Sequence, residues 1–182
     1  MKKPISIIIV ILGISLIISY FMYDKSVKVI NEIKVNDYLG KPIVKNQDND
    51  NIVGVLHIPK INFKMGFYNY TSKNNNVNKN ITVLNNTLPD TKNGTMIIAA
   101  HSGNSYLGYF KNLDKLKIND SIEILYNNKK YIYLINNIYE EEKNGKISFN
   151  KNINEQILIL TTCSKNKDKQ LIVESKLLKI TN

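Results

Sequence analysis

The chain has 182 residues and a formal charge of +10, from 25 basic and 15 acidic side chains. That length suffices for one domain with an appendage. Every basic residue is lysine, spread without an aromatic-interleaved cluster, which argues against nucleic acid and reads first as a solvated lysine-rich surface, one compatible with anionic lipid or wall polymer.

At the amino end, Lys2 and Lys3 precede the uncharged run PISIIIVILGISLIISYFMY, Pro4 to Tyr23. Its length matches the roughly 20 residues of a bilayer-crossing helix. A cleavable signal has an apolar core of about 7–15 residues followed by a small-x-small site. Here the run ends in Tyr20, Phe21, Met22 and Tyr23, residues suited to the membrane interface. Residues 1–23 are therefore expected to be an uncleaved single-pass transmembrane anchor. The lysine pair favours a cytoplasmic amino terminus, against which Lys25 and Lys28 weigh, and the rest of the chain is then extracytoplasmic. Residues 24–51 read as a polar stalk, with a weak helical pattern in VKVINEIKV and a loop-like KNQDNDN at its end.

From residue 52 to 182 the texture changes to short strand-like runs between Asn, Asp, Gly and Lys clusters. Strands are expected at Ile52–Ile58, Ile61–Tyr68, Gly94–Ala100, Ser121–Asn127, Lys130–Ile138, Glu155–Thr162 and Gln170–Leu178. NKKYI reads as a hairpin turn, and Tyr106–Leu116 carries apolar residues at helical spacing. Many short strands with few helices imply an all-β domain, a closed or nearly closed barrel.

Cys163 is the only cysteine. It stands where the apolar run QILIL gives way, through Thr161 and Thr162, to the lysine-rich SKNKDK. Outside the membrane most cysteines pair, so an unpaired one is intermolecular, incidental or chemically used. A buried small hydrophobe and a thiolate nucleophile are both consistent with the sequence at this point. Of the two histidines, His57 alternates with Leu56 and Ile58 and so faces away from the core if they face it. His101 directly follows the apolar run MIIAA and precedes SGNS, a second strand end. It can act as the proton partner of Cys163 if the two strands are neighbours.

The segment Ile52 to Ile180 resembles a sortase, the cysteine transpeptidase family of Gram-positive bacteria. GVLHIPKI resembles the family's opening Gly-x-Leu-x-Ile-Pro strand. MIIAAHSGNSYLGYFKNLDKLKINDSIEI resembles the stretch around the family histidine. LILTTC resembles the signature Thr-Leu-x-Thr-Cys, and LIV the run after the family arginine. The resemblance implies an eight-stranded β-barrel with one or two short helices and no cofactor. It implies a membrane enzyme that cleaves an LPxTG-like C-terminal sorting signal of surface proteins through a thioacyl intermediate. The acceptor implied is an amine such as the lipid II cross-bridge. Carried over, Cys163 is the nucleophile and His101 the general acid and base.

Two positions depart from the family pattern. Ala100 stands where the family writes glycine, and no arginine is available for the catalytic arginine column. Aligning LIV places Gln170 there. Three readings stay open: Gln170 as a neutral hydrogen-bond donor, a charge from Lys165, Lys167 or Lys169, or a catalytically weakened binding module. Leu88-Pro89-Asp90-Thr91 looks like a sorting signal but is followed by Lys92, and reads as a proline turn. Glu140, Glu141 and Glu142 read as a solvated loop, and no metal is assigned to them. The stretch YEEEKNGKISFNKNIN matches the family loop that covers the signal. It is short, and with no pilin-type lid or carboxyl-terminal span expected, the pattern is nearest to single-anchor class A, D or E enzymes. Pilin-linking and mainly hydrolytic output remain as enzyme alternatives.

Overall fold

The apolar run at the amino end continues as helix well past its last aromatic residue. In the computed structural model of the protein, which describes residues 3–40, 51–104, 106–149, 154–166 and 168–182, helix α1 spans Lys3–Gly40. The helix is long and apolar enough to cross a membrane, and residues 7–23 are exposed throughout. From Asp24 onward the less exposed positions are Asp24, Val27, Asn31, Val35 and Tyr38, a stripe at helical spacing that lies against the domain. Most of the loop-like KNQDNDN lies outside the described residues.

Eight strands follow: β1 (Ile52–Ile58), β2 (Phe63–Tyr68), β3 (Thr82–Val83), β4 (Thr95–Ala99), β5 (Ser121–Tyr126), β6 (Lys129–Glu142), β7 (Ile157–Cys163) and β8 (Lys169–Thr181). They form one sheet in the order β2-β1-β5-β6-β8-β7-β4-β3. The β4–β7 pair is parallel and the others antiparallel. The end strands β2 and β3 come together, so the sheet curls into a nearly closed barrel. Two 3-10 turns, Pro59–Ile61 and Leu113–Lys115, are the short helices of the domain.

Alternation sets the barrel's inside. Leu56, Ile58, Phe67, Met96, Ile98, Ile124, Tyr133, Leu158, Leu160 and Val173 are buried in one continuous core. His57 points away from it, as its neighbours require. Its Nδ1 lies 3.0 Å from Glu123 Oε2, with Lys130 Nζ 3.4 Å from the same oxygen. Burial alone would raise the Glu123 carboxyl; the His57 hydrogen bond and the Lys130 charge outweigh it and hold that carboxyl below its usual value. The β5–β6 hairpin closes through Asn127 and Asn128, both at positive φ (50° and 57°), as a type I′ turn requires.

The helix expected over Tyr106–Leu116 is replaced by turns and the 3-10 turn Leu113–Lys115. Its buried residues, Phe110, Leu113 and Leu116, recur every third position, the period of a 3-10 rather than an α-helix. The Phe110 N–H reaches back to the His101 carbonyl at 2.9 Å, so the segment closes on itself as a loop. β3 was not expected; two residues in an Asn-rich stretch leave no periodic signal. β6 runs four residues beyond the expected Ile138 and takes in Glu140–Glu142. The glutamates are poor strand formers, yet each pairs with β8. Leu88–Thr91 forms a turn before β4, closed by Thr91 N–H to the Leu88 carbonyl at 3.0 Å.

Gly54 sits at a register shift in β1, and a Cβ there would lie 2.3 Å from Cζ of the fully buried Phe67. Gly54→Ala is expected to cost about 1–3 kcal/mol. A lower urea midpoint at unchanged m-value in the detergent-solubilised full chain checks it.

Candidate active site

The two residues singled out for thiol chemistry end adjacent strands. β4 and β7 pair in register from Thr95↔Ile157 to Ala99↔Thr161, so the same offset carries His101 alongside Cys163. The pairing persists past the last strand residues. Ala100 N–H donates to the Thr161 carbonyl at 3.2 Å, Thr162 Oγ1 to the Ala100 carbonyl at 2.7 Å, and Ser102 Oγ to the Cys163 carbonyl at 2.7 Å. His101 is thus held between two links to the strand that bears Cys163. Cys163 is a free, partly exposed thiol.

Alternation decides which face they share. Leu158, Leu160 and Thr162 lie on the core side of β7, whereas Ile157, Ile159, Thr161 and Cys163 lie on the outer side. That outer face carries its own apolar patch. Ile157, Ile159 and Ile172 pack with Ile97, Tyr139, Ile147 and Phe149, the last two from the β6–β7 connection. A cavity of about 430 Å3 between this connection and the sheet is lined by Asn137, Tyr139, Ile147, Ser148, Phe149 and Glu174. Its size falls in the range of ligand pockets.

Gln170 is the direct β8 partner of Cys163, and Glu141 is the direct β6 partner of Gln170. The three residues therefore form one row on the outer face. The Gln170 amide nitrogen donates to Glu141 Oε1 at 3.0 Å and to the Lys146 carbonyl. An amide group has two N–H donors, and both are engaged, one with Glu141 of β6 and one with the β6–β7 connection at Lys146. Glu141 also accepts from the Ser148 N–H, with its nearer oxygen at 3.1 Å, and the Tyr139 hydroxyl donates to the Ser148 carbonyl. Burial pushes the Tyr139 phenol up to about 12, with Glu141 and Glu174 adding to the effect, so it stays a donor at neutral pH.

Among the candidate lysines, Lys165 Nζ is bonded 2.7 Å from Asp114 Oδ2, and that hydrogen bond raises its pKa. Lys169 is one step from Gln170 along β8 and so faces the opposite side of the sheet. Lys167 lies outside the described residues. The solvated-loop reading of Glu141 is overturned, because β6 extends through it and puts its carboxylate beside Gln170. Ser102, Asn78 and Glu141 were missed as site residues. Asn78 Oδ1 lies 3.3 Å from His101 Nε2. Only Ser102, adjacent to His101, was within reach of sequence reasoning; the other two depend on which strands become neighbours.

A sequence model of the sortase domain matches residues 56–178, more than half of the chain. The chain belongs to the sortase family. Sortases are cysteine transpeptidases, and the fold agrees with that family. A Clostridium perfringens sortase D5 transpeptidase is 24% identical with a TM-score of 0.62, over 81% of this chain and 89% of its own. Streptococcus suis sortase C1 is also 24% identical, with a TM-score of 0.63 over 71% and 74% of the two chains. A Clostridium perfringens sortase C with the C-terminal cell wall sorting motif is 20% identical, with a TM-score of 0.62 over 90% and 99%. No curated protein sequence matches the chain.

The Gln170 amide and the Glu141 carboxylate together pin the β6–β7 connection. Gln170→Ala is expected to raise hydrogen exchange at the Ser148 amide about tenfold, the equivalent of one or two net hydrogen bonds. Unchanged exchange would show that the connection is held elsewhere.

Proposed function

We propose that this sortase is anchored by residues 1–23, joined through residues 24–51 to the catalytic unit 52–182, and works outside the cytoplasmic membrane. Its proposed substrates are surface proteins bearing an LPxTG-like C-terminal sorting signal, which it joins to a cell-wall amine such as the lipid II cross-bridge. The observation carrying this reading is the in-register end of the parallel β4–β7 pair, which brings His101 beside Cys163 on the outer face.

The Cys163 thiolate attacks the carbonyl carbon of the signal's threonine. The C–O π electrons move to oxygen, then return as the C–N bond breaks. His101 gives a proton to the departing amine, leaving a thioester on Cys163. The incoming amine attacks that thioester, loses its proton to His101, and expels the thiolate. The second half thus restores to His101 the proton it gave up in the first. The apolar outer-face patch with Tyr139, Ile147 and Phe149 suits the side chains of an extended signal.

Gln170 is proposed to act in place of the missing arginine. Its amide is committed to Glu141 and Lys146, so an oxyanion would have to win a donor from one of them. The same observation favours a second reading, a sortase of weakened or mainly hydrolytic output. The short β6–β7 connection leaves no room for the long helix of the class B enzymes, which supports a single-anchor class A, D or E enzyme; pilin linkage stays as an alternative output.

Mass spectrometry of the full chain with LPxTG-type peptides tests the reading. A thioacyl adduct on Cys163 is expected, and its transfer to glycine amines rather than lysine amines supports wall anchoring. Binding without an adduct would leave only the inert module. Cys163→Ala is expected to abolish adduct and turnover with the fold intact, and His101→Ala to lower kcat/KM by about 10²–10⁴. Gln170→Arg can pair with Glu141 and still present N–H donors. It is expected to raise kcat/KM about tenfold, part of the 10²–10³ that one oxyanion donor is worth. An unchanged or lower rate would count against Gln170 standing in the arginine position.

A further inference from the structure

The helix that precedes the barrel does not leave it at an arbitrary point. Its contacts run in order from the His101–Asp120 connection, beside the start of β2, along that strand. The Tyr23 ring meets the Tyr106 ring edge-on at 4.8 Å, Asn31 Nδ2 donates to the Lys64 carbonyl at 3.1 Å, and Lys34 Nζ donates to the Tyr68 hydroxyl at 3.0 Å. Farther on, Tyr38 lies beside the Asn127 backbone, and Val35 is 3% exposed between these contacts. α1 therefore runs parallel to β2, with Tyr23 at the start of that strand and Tyr38 beside the β5–β6 hairpin.

Strand pairing fixes which end of the barrel is which. β2 begins beside the end of β1, at Phe63↔Ile58, and β5 begins at that same end. β6 must then finish there, β8 start there, and β7 and β4 finish there. The Tyr23 end of α1 is thus the end that carries Cys163 and His101. The Tyr38 end carries the hairpin Asn127–Asn128, about 22 Å away by the rise of 15 helical residues.

We propose that the docked helix turns the catalytic rim of the barrel down onto the bilayer, and that the His101–Asp120 connection rests on an anionic lipid surface. This rests on the reading of residues 4–23 as a membrane span, which emerges at Tyr23 level with Tyr106. The connection has the composition for that contact: Tyr106 next to the span, exposed Lys111, Lys115 and Lys117, and Ile118 at 58% exposure. A rim so placed takes a peptide bond presented close above the membrane plane, whereas the hairpin end looks away from it.

The test uses the full chain in vesicles of phosphatidylcholine and phosphatidylglycerol, with a nitroxide on the single native thiol, Cys163. A second label goes on Asn127→Cys in a Cys163→Ala background. Collisional access to oxygen and to a water-soluble nickel chelate reads the depth of each. The Cys163 label is expected at headgroup depth and the Asn127→Cys label in water, about 22 Å farther out. Val35→Asp, which breaks the helix seat, is expected to move the Cys163 label into water while the chain stays embedded. An embedded chain with water-like access at both labels, or with the hairpin label deeper, overturns the orientation alone. An unchanged Cys163 depth in Val35→Asp overturns the docked helix as its cause. Extraction of the chain by alkaline carbonate sinks the anchor itself.

Discussion

The parallel ladder between β4 and β7 is the constraint on which the site depends. A parallel pair brings two strands to the same end of a sheet with a fixed offset, here the offset between 99 and 161. Whatever follows each strand is then delivered to one place. His101 and Cys163 need no long-range contact of their own, because the ladder supplies it. Backbone and hydroxyl links from Ala100, Thr162 and Ser102 carry the pairing past the strand ends, where sheets commonly fray. The hydroxyls of Thr162 and Ser102, polar residues flanking Cys163 and His101 in sequence, help hold the two ends together.

The same logic explains what the sequence could and could not tell. β1 and β5 were legible nearly residue for residue, since alternation and bounding turn residues both mark them. The outward turn of His57 followed from Leu56 and Ile58. Cys163 and His101 stood out because each ends an apolar run. Sheet order leaves no such trace: nothing in QLIVESKL says that β8 lies between β6 and β7. That order alone puts Glu141, Gln170 and Cys163 in one row. The helical reading of Tyr106–Leu116 failed for a related reason: a single step of three fits an α-helix as well as a 3-10 turn, and the return of the Phe110 N–H to the His101 carbonyl, a partner outside the segment, is not visible in the sequence.

Gln170 decides what Glu141 meets across the sheet. An arginine facing Glu141 would form a charge-assisted pair, and the carboxylate would then offset part of the cation. With an amide in that position, the carboxylate faces a neutral partner. The Ser148 N–H, together with the Gln170 amide, satisfies the carboxylate. The β6–β7 connection is drawn down onto the outer face by this bonding and by Ile147 and Phe149. Binding of a peptide along that face and release of the connection are therefore opposed through the same few bonds.

Among the described residues the two end strands, β2 and β3, approach each other without a hydrogen-bonded ladder between them. β3 limits its exposure by being two residues long. β2 is longer, and α1 lies along it with the Asn31 amide capping the Lys64 carbonyl and Val35 seated against the domain. The carboxyl-terminal half of α1 thus covers an open edge. Trimming it away to obtain a water-soluble fragment uncovers unpaired carbonyls and an apolar seat together, a surface on which two such fragments can stack strand to strand.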